Sequence, residues 1–312
     1  MPHYLITGGA GFIGANLAHA LVARGESVRI LDDFSTGRAE NLHGIEDRIE
    51  ILRGDLRDPA VVARAVQGIE VILHQAALNS NPRSIKEPGL TNAVNVGGTL
   101  LLLEAARAAD VRRVVYASSS SVYGDTPGLP KTEQMPLSPK APYGVSKLAA
   151  EYYCRVFTQV YGLETVSLRY FNVFGPRQHP DSEYAAVIPR FLRLMLAGKR
   201  PVVFGDGEQS RDFTPVATVV AANLLAAETT RGIGEFFNIA CGRASTLNQL
   251  VEWLNVELGT RLPPVYEPPR PADIRDSYAS IQKAEALLGY RPTLEVQEGL
   301  RRTVEWFKRH EC

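Results

Sequence analysis

The chain has 312 residues, of which 45% are hydrophobic and 22% charged, and its formal net charge is zero. This length is enough for one large α/β domain and a smaller second lobe. A neutral chain offers no general electrostatic surface to nucleic acid or to an anionic membrane, so we expect neither as a partner.

Cysteine usage and the N-terminus bear on the compartment. Cys154, Cys241 and Cys312 are odd in number and lack the spacing of metal ligands, so we expect no disulfide framework and no metal site. Residues 1–8 run directly into a predicted strand, which leaves no room for a signal peptide. No apolar run approaches the roughly 18 residues that span a bilayer. The sequence therefore predicts a cytoplasmic protein.

Strand-like and helix-like segments alternate through the first half of the chain. In chain order, the predicted strands and helices are strand His3–Thr7, helix Phe12–Arg24, strands Ser27–Leu31 and Ile49–Arg53, helix Pro59–Gln67, strand Val71–His74, helix Asn92–Ala109, strand Arg113–Ser118, helix Pro142–Val160 and strand Glu164–Tyr170. Strands separated by helices at this spacing predict an α/β fold with a doubly wound parallel sheet of the Rossmann type.

The composition and the predicted secondary structure change near residue 175. Prolines and glycines become denser, and the helical segments are separated by irregular stretches. We therefore expect a nucleotide-binding domain over residues 1–175, to which some later segments return. Residues 176–312 are expected to form mainly a smaller, C-terminal substrate lobe.

A glycine-rich segment lies between the first predicted strand and the first helix. Its sequence is Gly8-Gly9-Ala10-Gly11-Phe12-Ile13-Gly14. Such a turn lets backbone approach a pyrophosphate at a helix N-terminus, although a purely structural turn could use the same glycines. Asp32 ends the second strand, where a carboxylate accepts ribose hydroxyls and repels a 2′-phosphate. The pair of features predicts NAD rather than NADP.

Further cofactor contacts are expected from the segments that follow the strands. They are Asp33, Ser35, Thr36, Gly37, Asp55, Leu56, Gln75, Ala76 and Ala77. For Asp55, an ordinary helix-capping role is an equal alternative to a contact with adenine. His74 is interpreted as structural.

Tyr143 and Lys147 are four residues apart and therefore share one face of a predicted helix. On most helices such a pair is only a solvated surface contact. Here Pro142 places Tyr143 in the first turn, and an ammonium nearby is expected to lower the pKa of the phenol. The fifth strand also ends in a run of serines that includes Ser119, at the edge where parallel sheets bind ligands.

With these motifs, the chain resembles extended short-chain dehydrogenases/reductases, and UDP-glucose and UDP-N-acetylglucosamine 4-epimerases in particular. The resemblance implies that Ser119, Tyr143 and Lys147 are catalytic. It adds Asn95, Tyr143, Lys147, Tyr170 and Phe171 to the cofactor contacts. Substrate contacts are implied at Asn79, Ser119, Ser120, Ser121, Tyr143, Asn172, Ala186, Val187, Val203, Phe204, Arg211, Arg270, Asp273 and Ser277.

The same resemblance implies a reaction and an assembly. Tyr143 would remove the proton of the sugar 4-hydroxyl while hydride passes to NAD and returns to the opposite face. Arg211 and Arg270 would bind the diphosphate, and Asp273 the uridine ribose. Relatives pair their two long helices across a dimer contact, so a homodimer is expected.

The residues after the fifth strand discriminate among related reactions. In the family, nucleotide-sugar 4,6-dehydratases carry an Asp-Glu pair before Val-Tyr-Gly, and UDP-glucuronate decarboxylases carry a glutamate there. This chain has Ser120 and Ser121, which supply no acid near neutral pH. Epimerisation is therefore favoured over dehydration. A reductase or dehydrogenase stays an alternative, and a non-catalytic NAD-binding relative is the weakest one.

One position bears on which sugars fit. In the epimerase family, a residue seven positions after the diphosphate-binding arginine borders carbon 2 of the sugar. A small residue there leaves space for an N-acetyl group, and the corresponding residue is Ser277. A loop residue without substrate contact is the alternative. The sequence predicts that both acetylated and plain UDP-hexoses are interconverted.

Overall fold

A computed structural model describes residues 3–179, 186–269 and 275–310. The predicted substrate residues Arg270 and Asp273 lie outside the described residues. The strands are β1 Tyr4–Thr7, β2 Val28–Asp32, β3 Ile49–Arg53, β4 Val71–His74, β5 Arg113–Ser119, β6 Glu164–Tyr170, β7 Val173–Phe174, β8 Val202–Phe204, β9 Ser210–Arg211, β10 Thr214–Pro215, β11 Phe236–Ile239, β12 Ser245–Thr246, β13 Val265–Glu267 and β14 Asp276–Ser277.

The helices connect these strands and cover the main sheet. They are α1 Phe12–Ala23, α2 Pro59–Ala65, α3 Asn81–Lys86, α4 Pro88–Asn92, α5 Gly98–Ala108, α6 Pro142–Tyr161, α7 Val187–Leu196, α8 Val216–Glu228, α9 Leu247–Leu258, α10 Gln282–Leu288 and α11 Val296–His310. Within the described ranges, none of them combines the length and the apolar character needed to cross a bilayer.

Seven strands form one parallel sheet in the order β11-β6-β5-β4-β1-β2-β3. The chain builds outward from β1 to β3, then returns to β4 on the other side of β1. This reversal is the switch point at which open α/β sheets bind ligands beyond the carboxyl ends of their strands. The predicted fold class, a doubly wound Rossmann-type sheet, is confirmed.

Alternation along the strands supplies an apolar core to each face of the sheet. In β1, Ile6 belongs to one cluster, which includes Leu17 of α1 and Val219 of α8. Leu5 belongs to the other cluster, with Leu103 of α5 and Phe157 of α6. Strands β1 and β4 are buried along their whole length. This burial is expected for central parallel strands, because helices cover both faces of the sheet.

A third apolar cluster lies within the later part of the chain. It is centred on Phe191 of α7, Leu250 of α9 and Phe307 of α11. We propose that this cluster is the core of the substrate lobe. Two later segments pack on the main sheet instead: β11 pairs with β6, and α8 contributes to the first cluster.

The helix predicted over residues 92–109 differs in the structure. Helix α4 already begins at Pro88, and a π-helical turn, Ala93–Gly97, separates it from α5. Asn95 lies within this turn, with its side chain 1% exposed and hydrogen-bonded to other elements. Because π turns insert an extra residue into a helix, hydrophobic periodicity alone does not predict them.

Candidate active site

The glycine turn after β1 is too crowded for side chains. Gly8 has φ +67°, and a methyl group on it would lie 2.8 Å from the backbone of Ala76. A methyl group on Gly14 would lie 2.2 Å from the carbonyl oxygen of Gly8. Helix α1 begins at Phe12 after Gly11, so the N–H groups of its first turn, including that of Ile13, are presented to the turn. These groups fit a pyrophosphate.

Asp32 is held beside this turn at the end of β2. Its carboxylate accepts hydrogen bonds from the backbone N–H groups of Ala10, at 2.9 Å, and Phe34, at 2.8 Å. Burial raises the pKa of Asp32, and the two N–H groups partly oppose the shift. A methyl group on Gly37 would lie 2.8 Å from the carboxylate. The carboxylate is therefore a fixed acceptor at the end of β2, a position that suits the ribose hydroxyls of NAD in folds of this type.

The predicted cofactor residues in the loops after β2 and β4 differ in their exposure. Asp33, Ser35 and Thr36 are exposed, and Ser35 donates to Asp33 through both its N–H and its hydroxyl group. Ala77 is half-buried in the segment that follows β4.

Asp55 forms an ion pair with Arg57, and this contact holds the pKa of Asp55 below its ordinary value. The helix-capping alternative for Asp55 is wrong, because Asp58 caps α2 by accepting from the N–H groups of Ala60 and Val61. Leu56 is buried, and it lies so close to Gly98 that a methyl group there would meet it at 2.8 Å.

Gln75 and Tyr170 belong to a polar cluster completed by Asn223 of α8. The side chain of Asn223 donates to the Tyr170 hydroxyl at 2.8 Å, and the Gln75 side chain donates to the Asn223 Oδ1 at 3.1 Å. Asn223 is fully buried and was not anticipated, although an asparagine inside an apolar helix is a usable signal. Burial raises the pKa of Tyr170 to about 12.

The side chain of Phe171 is fully buried in a fourth apolar cluster, with Val122, Tyr123 and Ala240. Its neighbour Tyr170 contacts Gln75 and Asn223 instead, because consecutive residues of an extended chain point to opposite sides. The cofactor contact at Phe171 stays a prediction.

Side-chain hydrogen bonds near the glycine turn connect β1, β4 and α5. His74 bonds to Thr7 at 2.6 Å and to Thr99 at 2.9 Å. Burial, with a smaller effect of the charge on Lys147, lowers the pKa of His74 to about 3, so the ring is neutral. Asn95 bonds to both backbone groups of Leu78 and donates to the Ser146 hydroxyl at 3.0 Å. It therefore links the loop after β4 to α6.

Ser119, Tyr143 and Lys147 are brought together at the carboxyl end of β5. Lys147 is 3% exposed, and its Nζ donates to the carbonyl oxygen of Ala117 at 2.7 Å. Burial lowers the pKa of Lys147 to about 7. Burial raises the pKa of Tyr143, while a side-chain hydrogen bond with Ser119 acts in the opposite direction. The net direction is therefore upward, because burial outweighs the lowering that was expected for this phenol.

The serine turn packs directly on the start of α6. The Oγ of Ser119 accepts from the N–H of Ser121 at 3.1 Å, at the start of a short 3₁₀ turn that also includes Ser120. A methyl group on Gly144 would lie 2.7 Å from the carbonyl oxygen of Ser121. Only glycine therefore lets α6 bring Tyr143 this close to Ser119.

A cavity of about 240 Å³ opens between the sheet edge and the third cluster. It brings together five of the predicted substrate residues, Asn172, Ala186, Val187, Phe204 and Arg211. It is also lined by seven residues that the sequence analysis did not single out, Val173, Phe174, Ile188, Arg190, Gln209, Phe213 and Leu247. Asn172 has φ +34°, a strained conformation for a residue other than glycine that is typical of functional positions.

Three other predicted substrate residues are placed differently. Val203 is fully buried in the third cluster, because alternation along β8 turns Phe204 to the cavity and Val203 to the core. Asn79 is exposed in the loop after β4. Ser277 lies in β14, paired with Arg211 of β9, and is not part of the cavity lining.

A buried ion pair below the serine turn was also missed. Glu151 of α6 and Arg169 of β6 form a bidentate pair at 2.5 and 2.9 Å, with side chains 3% and 0% exposed. Ser118 donates to Glu151 at 2.8 Å, and Arg169 donates to the Tyr123 hydroxyl at 2.8 Å. The pair therefore ties together α6, β5 and β6, the elements around Lys147.

Comparison with known proteins identifies the family of this chain. Residues 4–240 match the model of the NAD dependent epimerase/dehydratase family. A UDP-glucose 4-epimerase from Mycolicibacterium smegmatis is 40% identical over 308 residues, covering 97% of this chain and 98% of the relative.

Solved structures extend the likeness to the fold. A UDP-N-acetylglucosamine 4-epimerase from Methanobrevibacter ruminantium, in complex with UDP-N-acetylmuramic acid, superposes with a TM-score of 0.94 at 38% identity, covering 99% of this chain and 98% of that one. A UDP-glucose 4-epimerase from Thermotoga maritima, with UDP-glucose, gives 0.94 at 37% identity, covering 99% of both chains.

Enzymes with a different reaction also match. A dTDP-glucose 4,6-dehydratase from Streptomyces venezuelae, with NAD bound, gives a TM-score of 0.89 at 32% identity, covering 99% of this chain and 97% of that one. Overall likeness therefore establishes the family and its NAD cofactor, and the reaction has to be argued from the residues of the site.

Proposed function

We propose that this chain, which belongs to the NAD dependent epimerase/dehydratase family, is a 4-epimerase of UDP-linked hexoses. The observation that carries the proposal is the Ser119–Tyr143–Lys147 arrangement at the carboxyl end of β5. The cavity that contains Asn172 and Arg211 lies at the same edge of the sheet. A base, an oxygen-binding hydroxyl and an anion-binding arginine are the groups that this reaction needs.

Tyr143 acts as the base in the proposed mechanism. Its phenolate takes the proton of the sugar 4-hydroxyl and becomes the phenol, and Ser119 donates a hydrogen bond to the same sugar oxygen. The glycine turn after β1 and Asp32 would hold NAD, which would supply reversible hydride transfer at carbon 4 of the sugar. Lys147, fixed by its bond to Ala117, supplies positive charge that favours the phenolate when it is protonated. Tyr143 then returns the proton.

The diphosphate has to stay bound while the sugar turns, because the sugar presents each of its faces in succession to one fixed site. Arg211 and the strained Asn172 line the cavity and offer donors to the phosphate oxygens. Phe204 lines the same cavity and offers an aromatic face to the uracil base. We further propose that Arg270 and Asp273 complete this substrate site.

The absence of an acid at the serine turn favours epimerisation over dehydration. Eliminating water from a 4-keto sugar requires a general acid and base beyond Tyr143. In the turn that follows β5, positions 120 and 121 are serines, and Ser121 uses its backbone N–H to bond Ser119. This turn therefore supplies no acid or base for eliminating water, and return of the hydride to carbon 4 is favoured.

We also propose that the protein is a homodimer formed through α6. This helix exposes apolar side chains at helical spacing, including Val145, Tyr152, Val156 and Val160, which are 42 to 65% exposed. Such a stripe on a helix is typical of a packing interface. Light scattering of the wild type and of Val156→Asp tests this assembly, since a charge in the interface should yield monomers.

The function is tested by separate incubations with UDP-glucose, UDP-N-acetylglucosamine and UDP-glucuronate, without added cofactor. NMR should detect the 4-epimers of the first two, and absorbance at 340 nm should show no accumulation of reduced cofactor. Conversion that consumes NAD in proportion to product would indicate a dehydrogenase. Loss of the carbon 6 hydroxyl would indicate a dehydratase.

A further inference from the structure

Asp212 is a fully buried carboxylate between two residues of the substrate cavity. Arg211 and Phe213 line the cavity, and Asp212, which lies between them, points away from it with 0% exposure. Burying an ionisable group is costly unless hydrogen bonds compensate. Its partners therefore indicate what the carboxylate contributes.

These partners come from two separate segments of the chain. Asp212 accepts from the backbone N–H groups of Cys241, at 2.8 Å, and Gly242, at 3.0 Å, in the loop after β11. It also accepts from the N–H of Ala279 at 3.3 Å, beyond β14. One side chain thus joins the end of the main sheet to the strand that contains Ser277.

The same residue ends the strand that presents Arg211. Strand β9 lies between β12 and β14, and the N–H of Asp212 donates to the carbonyl oxygen of Ser277 at 2.8 Å. The short strand β9 has only two residues, so its ladder alone gives little rigidity. The carboxylate of Asp212 supplies the fixed anchor that this ladder lacks.

We propose that Asp212 is a positioning residue that holds Arg211 and the β14 segment in the geometry that binds the substrate diphosphate. The inference rests on the proposed function, which makes Arg211 a diphosphate ligand. Asp212 itself does not touch the substrate. Its loss should weaken nucleotide binding while leaving the Ser119–Tyr143–Lys147 chemistry intact.

The test compares UDP binding by calorimetry in the NAD-loaded wild type and in Asp212→Asn. The amide keeps one acceptor oxygen and turns an NH₂ group toward backbone donors, so we expect Kd for UDP and KM for UDP-glucose to rise about 10-fold. The kcat should change less than about 2-fold, because its determinants are unaltered. Glu295→Gln, which removes an exposed pair with Arg243, is the control and should bind as the wild type does.

The outcomes distinguish a failure of the proposed function from a failure of the positioning role of Asp212. A wild type that does not bind UDP contradicts the proposed function. If the wild type binds UDP and Asp212→Asn binds it with the same Kd, the positioning role is overturned. A variant in which only kcat falls overturns it as well.

A second measurement covers the case in which Asp212→Asn does not fold. Hydrogen exchange of the wild type with and without UDP should show added protection of the 240–243 and 277–280 segments, which contain the partners of Asp212. Protection confined to residues that line the cavity would contradict the inference.

Discussion

Lys147 of α6 and Ala117 of β5 are joined by a hydrogen bond of 2.7 Å, from the Nζ atom to the carbonyl oxygen. Ala117 lies two residues before Ser119 in the same strand, so this bond sets the distance between the helix that carries Tyr143 and the strand that carries Ser119. A buried amine with one fixed acceptor has little freedom, which suits a group that acts by its position and charge.

Replacing Tyr143 by phenylalanine should remove the base while preserving the fold. Loss of a general base commonly lowers kcat by about 10²–10⁴-fold. The NAD content and the melting temperature should stay close to the wild-type values, because Gly8, Asp32 and Lys147 are unaltered. Copurified NAD is measured by absorbance after acid release, and turnover by NMR. Near-full activity of Tyr143→Phe would refute the mechanism.

The buried pair of Glu151 and Arg169 predicts a large stability effect away from the reacting groups. Glu151→Gln leaves the guanidinium of Arg169, which is 0% exposed, without a neutralising charge. Removing one partner of such a pair typically costs about 3–5 kcal/mol. Urea unfolding should therefore show a lower midpoint with an unchanged slope.

The control for this variant is Glu228→Gln, which removes an exposed pair with Arg24. Exposed pairs contribute little, so its unfolding midpoint should match that of the wild type. Equal midpoints for Glu151→Gln and Glu228→Gln would contradict the importance of the buried pair.

Asp212 predicts a pH dependence of stability. Burial raises its pKa from 3.8 to about 6, although backbone N–H groups oppose the shift. The folded state therefore holds a proton that the unfolded state has released between these two values. The contribution of Asp212 to stability falls as pH rises from about 4 to 6 and is constant above this range, a change of about 3 kcal/mol.

The measurement compares the unfolding free energies of the wild type and Asp212→Asn at pH 4, 5, 6 and 7. The difference between the two removes the effects of groups that both proteins share. The wild type should lose stability relative to the variant as pH rises. A difference that is flat between pH 4 and pH 7 would show that Asp212 does not titrate in this range.

The sequence predicted the features that depend on local spacing. Gly8 and Asp32 belong to successive strand ends, and Tyr143 and Lys147 are one helical turn apart, so short-range rules were enough to propose these residues. The alternation of strands and helices likewise predicted a doubly wound parallel sheet.

The features that the sequence missed depend on contacts between distant segments. Asn223 meets Tyr170 from 53 positions away, and Asp212 meets Ala279 from 67 positions away. The orientation of Val203 was missed because β8 has only three residues, too few to define an alternating pattern. The sign of the Tyr143 pKa shift was missed because burial is a property of the folded chain.

Ser277 yields the prediction on substrate choice. Its strand pairs with that of Arg211, so the residue lies beside the proposed diphosphate ligand while its side chain is only half-buried. A small residue here is expected to leave room for an N-acetyl group on carbon 2. Ser277→Tyr adds a ring, which should exclude acetylated sugars far more strongly than plain ones. We expect the ratio of kcat/KM for UDP-N-acetylglucosamine to that for UDP-glucose to fall at least about 10-fold.

The matched control is Ser277→Ala, which removes the hydroxyl without adding volume and should leave that ratio within about 2-fold of the wild type, because steric exclusion is the proposed basis of selection. The melting temperature of each variant shows whether a change in the ratio occurs in a folded protein. An unchanged ratio in Ser277→Tyr would remove Ser277 as the determinant of sugar size. A wild type that does not convert the acetylated sugars would restrict the substrates to UDP-glucose and UDP-galactose, and selection would then have to come from residues that line the cavity near Asn172 and Arg211.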